Sequence, residues 1–199
     1  FGCESGEPTF RYSLLDGVKD GYLVNPFVYD GRTEITTELL SQKGYLFQTT
    51  DDDGNEIEEV FTKKDFEKRF LSEETNRIFC ETFIKNAKRD PYTNEIGKSL
   101  VFCVSQKHAG KITQILNEYA DAMFPGKYNS DFAVQVTSSI DGSQQMTVDF
   151  SNNVLNGSSN SDDYYKTSKT RVCVTVGMMT TGYDCTDLLN IAMMRPIYS

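Results

Sequence analysis

A chain of 199 residues, 38% hydrophobic and 25% charged, has apolar material for one good core, or one core and a smaller appendage. No apolar run approaches the roughly 20 residues that cross a bilayer, and no basic-then-apolar leader is visible, so no membrane partner is expected. The net charge of −9 does not exclude a polyanion partner, because it is confined to the front: residues 1–74 hold 17 acidic against 8 basic side chains, whereas residues 75–199 hold 12 of each.

The opening FGCESGEP has no initiator Met and reads as part of a longer polypeptide. Five widely spaced cysteines (Cys3, Cys80, Cys103, Cys173, Cys185) form no CxxC pair, and there is one histidine. A metal site is therefore not expected, and a reducing, cytoplasmic setting is. Residues 1–29 mix turns with apolar pairs. A short helix over 13–18 with Gly21 as its stop is predicted. This stretch reads as a connector that docks through Tyr12, Leu14, Leu15, Tyr22 and Leu23.

Residues 30–74 differ in character. Strands are predicted over 44–50 and 57–61, joined by the turn Asp51-Asp52-Asp53-Gly54-Asn55, which makes an acidic β-hairpin. The acidic triplet does not continue as a calcium loop: counted from Asp51, the twelfth position is Thr62 and not the required Glu. Ser72-Glu73-Glu74-Thr75 then opens a helix with an N-cap and an acidic first turn, running through Ile78, Phe79, Thr82, Phe83 and Ala87. A continuous apolar strand over 99–104 follows, of the kind buried on both faces of a parallel sheet. A helix over 108–119 carries Ile112, Ile115, Leu116 and Tyr119 at core spacing. A strand is predicted over 132–136 and a short helix over 144–150. Residues 152–169 are Ser- and Asn-rich and read as a flexible loop. The stretch 170–196 gives a β-branched strand over 171–176, the polar turn TTGYD and a second apolar run over 188–193. Strands alternating with helices in this order predict an α/β fold with a parallel sheet.

Three predicted strands run into polar clusters: Ser105-Gln106, Thr137-Ser138-Ser139, and Thr180-Thr181-Gly182-Tyr183-Asp184. In a parallel sheet all three line one edge, where hydroxyls, a close-approach glycine and a carboxylate suit a sugar or phosphate. Taken singly, each Ser or Thr reads equally as a helix cap. GxxxxGK[ST], GxGxxG and GxSxG are absent, so no catalytic residue is expected within this stretch.

KSLVFCVSQKHAGKITQILNE (98–118) resembles motif IV of the second RecA-like domain of superfamily-two helicases and translocases, and TVGMMTTGYD (175–184) resembles motif V. Residues 195–199 resemble the lead-in to motif VI, and residues 12–23 the segment that leaves the first motor domain. The wording is most similar to the restriction (R) subunit of type I restriction–modification enzymes. The resemblance implies a RecA-like α/β domain at 75–199, truncated at its end, preceded by a connector at 1–29 and the hairpin insertion at 30–74. It implies part of an ATP-dependent DNA translocase in a restriction endonuclease, with ATP and Mg2+ as cofactors of the whole protein. The implied partners are double-stranded DNA, the first RecA-like domain in cis, and the modification and specificity subunits. Gly182 and Asp184 would face the nucleotide, with Asp184 on the ribose; Ser105, Thr137, Ser138 and Thr180 would lie near the DNA backbone. Gly177 stands where the family usually has an acidic residue, and the QxxGRxxR stretch holding the arginine finger is not reached. The fragment alone is therefore expected to be inactive. A helicase without a nuclease, and a non-catalytic α/β module binding nucleic acid or protein, stay open as alternatives.

Overall fold

A computed structural model of the chain describes residues 10–31, 73–162 and 165–195. The predicted hairpin at 44–61 and the Ser72 cap lie outside them. The chain divides into two units, 1–31 and 32–199. In the first, α1 (Leu14–Lys19) is held by a capping box. The Ser13 hydroxyl accepts from the Asp16 amide at 3.2 Å, and the Asp16 carboxylate accepts from the Ser13 amide at 2.8 Å. The apolar side chains Leu14, Leu15 and Tyr22 of this unit are exposed.

The second unit is an α/β fold. Its elements are α2 (Glu73–Asn86), β1 (Ser99–Cys103), α3 (Gln106–Met123), β2 (Ala133–Gln135), α4 (Ser143–Ser151), β3 (Ser158–Asp162), β4 (Tyr165–Ser168), β5 (Val172–Thr175) and β6 (Asn190–Met194). Four strands form one parallel sheet in the order β2-β5-β1-β6. β1 and β5 are central and buried throughout, as their unbroken apolar runs require.

Strand alternation sends side chains to two faces. Val101, Cys103, Val172 and Val174 pack beneath Cys80 and Ile84 of α2 and Ala109, Ile112, Ile115, Leu116 and Ala120 of α3. Leu100, Phe102 and Cys173 pack on the other face with Phe150 of α4 and Leu155. Cys103 and Cys173 thus act as small hydrophobes, and burial pushes the Cys103 thiol up to about 12. Among the described residues no helix is long and apolar enough to cross a membrane.

Two expectations need correction. Residues 152–169 are not a flexible loop: β3 and β4 pair as an antiparallel hairpin with an irregularity between Asn160 and Asp162. Composition misleads here because the hairpin is fastened by polar side chains. Thr167 and Ser168 are buried; Thr167 accepts from Arg171, and Ser168 Oγ donates to the Leu155 carbonyl at 2.9 Å. Second, the crossing from β5 to β6 contains no helix and does not join neighbours, since β1 lies between them. Residues 176–189 instead cross the α4 face as an extended loop, with Met178, Met179, Tyr183, Cys185 and Leu188 packed on it.

Candidate nucleotide and nucleic-acid edge

Because the sheet is parallel, β1, β2 and β5 all end at one edge, and the three polar clusters leave from there. Ser105 caps α3: its hydroxyl accepts from the His108 amide at 3.2 Å. Thr137 is buried, sharing hydrogen bonds with Gln135 Nε2 at 3.3 Å and Ser139 Oγ at 3.1 Å. Ser138 is exposed in the turn between them. Thr180 is exposed and donates to the Gly177 carbonyl at 3.3 Å, which closes the first turn after β5. Gly182 and Asp184 are exposed on the same loop. Among the described residues, the Asp184 carboxylate has no hydrogen-bond or ion-pair partner. The accessible set is therefore Ser138, Thr180, Gly182 and Asp184, while Ser105 and Thr137 shape the backbone behind it.

The loop is held in an unusual backbone path. Gly182 has φ +68°, open to glycine, and a Cβ there would meet no atom within 4 Å, so the backbone is open to close approach. Met179 has φ +60°, which a side-chain-bearing residue rarely adopts. Three contacts over-determine this path, and the sequence pattern did not single out their residues for it. The Tyr183 hydroxyl donates to the Thr147 carbonyl of α4 at 2.7 Å, and burial pushes its pKa up, so it stays a donor. Asp187 accepts from Lys98 Nζ at 2.8 Å. Arg195 donates through Nη1 to the Val176 carbonyl at 2.6 Å and stacks its guanidinium 5.3 Å from the Phe102 ring centre. Gly97 completes the docking: a Cβ there would meet Leu189 Cδ1 at 2.5 Å. The signal for Lys98 was a charged residue opening an apolar strand.

His108 sits in the first turn of α3, fully buried, and not at the helix start as the pattern suggested. Its Nδ1 accepts from the Val104 amide at 3.3 Å, so Nε2 carries the proton and donates to Asn76 Oδ1 at 3.1 Å. Burial holds its pKa down at about 4. The unfolded chain takes up this proton near pH 6.5 and the folded chain only near 4, so stability is full above 6.5 and falls as pH drops across that window. Titration of unfolding free energy should show a fall of about 3 kcal/mol from this residue. His108→Gln should remove that part of the acid slope; an unchanged slope in the variant would contradict the assignment.

The loop's chemistry suits one part of a nucleotide. Residues 177–188 offer a carboxylate and hydroxyls but no Lys or Arg, which fits ribose hydroxyls and not a triphosphate. Among the described residues no group of His, Cys, Asp and Glu is placed to hold a metal ion.

No family model matches the chain. Over 112 residues, 56% of its length, it is 30% identical to the EcoAI type I restriction enzyme endonuclease subunit of Escherichia coli. Over 98% of its length it is 26% identical to the EcoKI endonuclease subunit of E. coli K12. The chain is similar to type I restriction endonuclease subunits. It spans only 13% and 16% of those two relatives. Among solved structures it resembles an HsdR-subunit fragment of a type I restriction enzyme from Vibrio vulnificus YJ016, with a TM-score of 0.51 and 20% identity. That match covers 71% of this chain and 24% of the other, and it supports the RecA-like α/β fold.

Proposed function

We propose that the chain is part of the ATP-driven DNA translocase of a type I restriction endonuclease, contributing most of its second RecA-like domain. The observation that carries this reading is the exposed β5–β6 loop, where Gly182 and Asp184 stand open at the edge on which three parallel strands end. Similarity to endonuclease subunits favours a nuclease-bearing parent over a helicase without one. ATP in the whole protein supplies the free energy of hydrolysis that drives closure and opening of the two motor domains.

The residues of this chain bind and orient. Asp184 accepts from a ribose hydroxyl, and the open backbone at Gly182 lets the nucleoside approach. Ser138 and Thr180 face DNA phosphates, while the Ser105 cap and the buried Thr137 hold the loops that present them. The triphosphate and Mg2+ require cations and carboxylates that this edge lacks, so they fall to the first RecA-like domain, and the isolated chain is inactive. Double-stranded DNA and the modification and specificity subunits are the partners of the assembled enzyme, in the cytoplasm.

In the full-length protein, Asp184→Ala should raise the KM for ATP about tenfold, as loss of one charge-assisted hydrogen bond does. It should also abolish the preference for ATP over 2′-deoxy-ATP. A variant that still discriminates the two nucleotides would sink the ribose assignment.

A further inference from the structure

The four-stranded sheet is unfinished on one side only. β6 pairs with β1 and, among the described residues, with no other strand. Half of its backbone N–H and C=O groups therefore face an open edge, the arrangement that proteins ordinarily pair, cover or charge. β6 carries no charge: its sequence is NIAMM.

The two faces of β6 are not alike. Ala192 and Met194 pair with Val101 and Cys103 and join the core beneath α2 and α3. Ile191 and Met193 pair with Leu100 and Phe102, so they continue the α4-side face, yet they are 62% and 40% exposed. An apolar strip contiguous with a buried core is thus bare on one face and at one edge, whereas parallel sheets are covered on both faces.

The chain's own crossovers say what belongs there. From β1 to β2 the chain steps two places toward the β2 side, passing over the face that α3 covers. From β2 to β5 it steps back one place over the α4 face, and from β5 to β6 it steps two more places the same way over that face again. All three crossings have one hand, as the right-handed crossover rule requires. A next strand laid beside β6 with that hand must be reached over the α4 face, directly across Ile191 and Met193.

We propose that the free edge of β6, with Ile191 and Met193, is the seat of a further helix and parallel strand supplied by the polypeptide that follows Arg195. The helix covers the two side chains and the strand pairs with β6. A parent the size of the relatives has ample chain to supply both. Sheet topology alone carries this, so it stands or falls independently of nucleotide binding.

The test is peroxide oxidation of methionine in the 199-residue chain and in the full-length polypeptide alone, read by peptide mass spectrometry with free methionine as dose reference. In the 199-residue chain Met193 should oxidise about as fast as Met123, which is 41% exposed. In the full-length polypeptide Met193 should react at least about tenfold more slowly, because oxidation follows exposure. Amides of residues 190–194 should exchange more slowly there too. An unprotected Met193 in the full-length polypeptide overturns the proposal. So does protection of Met193 while the β6 amides still exchange freely, since coverage would then come without a strand. Protection of the 199-residue chain that grows with its concentration, with a dimer in sedimentation, overturns it in favour of a second copy.

Discussion

Arg171→Met is expected to lower the unfolding free energy by about 4 kcal/mol, or to leave the chain unfolded, because it strands buried charge. Arg171 is fully buried just before β5. Its Nε donates to the Ile96 carbonyl at 2.7 Å, and Nη1 to Thr167 Oγ1 at 2.5 Å and the Ser168 carbonyl at 3.3 Å. Nη2 donates to Asp90 Oδ2 at 3.4 Å, and Glu95 Oε2 lies 3.9 Å from Nε. Removing the guanidinium leaves these acceptors facing an apolar side chain, with the Asp90 and Glu95 carboxylates buried beside it. Asp90 is further held by Tyr165, Thr93 and Tyr92; burial opposes its ionisation, but these hydrogen bonds and the Arg171 charge together keep its pKa below the ordinary range. The guanidinium therefore fastens the β3–β4 hairpin and residues 90–96 to the sheet. Urea denaturation of wild type, Arg171→Met, Asp90→Asn and the double variant would measure this. The cycle should give a coupling above about 1 kcal/mol, as charges within one network do. A loss below about 1 kcal/mol for Arg171→Met would contradict the role, since exposed pairs contribute no more than that.

Lys98→Met should cost about 3 kcal/mol, lowering the melting temperature by roughly 10 °C. Lys98 is as buried as Arg171, and its three ammonium protons have three acceptors: the Phe150 carbonyl at 2.6 Å, Asn153 Oδ1 at 2.8 Å and Asp187 Oδ1 at 2.8 Å. Its Nζ also lies 4.6 Å from the Phe150 ring centre. The effect is smaller than at Arg171 because Asp187 is partly exposed and recovers water when its partner is lost. The same substitution frees the far end of the β5–β6 loop, so amide exchange at residues 183–188 should rise well beyond the global change. Equal exchange in wild type and variant would show that Asp187 does not anchor the loop.

Much of the fold was legible because it rests on apolar periodicity. The unbroken run at 99–104 could only be a strand buried on both faces, and 171–176 likewise; both lie at the centre of the sheet. The helical spacing of Ile112, Ile115 and Leu116 marked the buried face of α3, though the helix extends from Gln106 to Met123 because Ser105 caps it earlier than the apolar pattern starts. Polar fastening was not legible. Nothing in NNVLNGSSNSDDYYKTSK announces a hairpin, since its stability comes from Arg171, Asp90 and Tyr165 meeting across more than 70 residues of sequence. At the edge, the pattern found which loops converge but not which side chains stay accessible: Thr137 turns inward while Ser138, one residue on, faces out.

The most direct measurement is hydrogen exchange of the full-length polypeptide on DNA, with and without a slowly hydrolysed ATP analogue. The account predicts that nucleotide protects the amides of residues 177–184, while the β3–β4 hairpin, which leads to the opposite edge of the sheet, is unchanged. Protection absent from 177–184, with nucleotide demonstrably bound, would contradict the assignment of this loop to the nucleotide cleft.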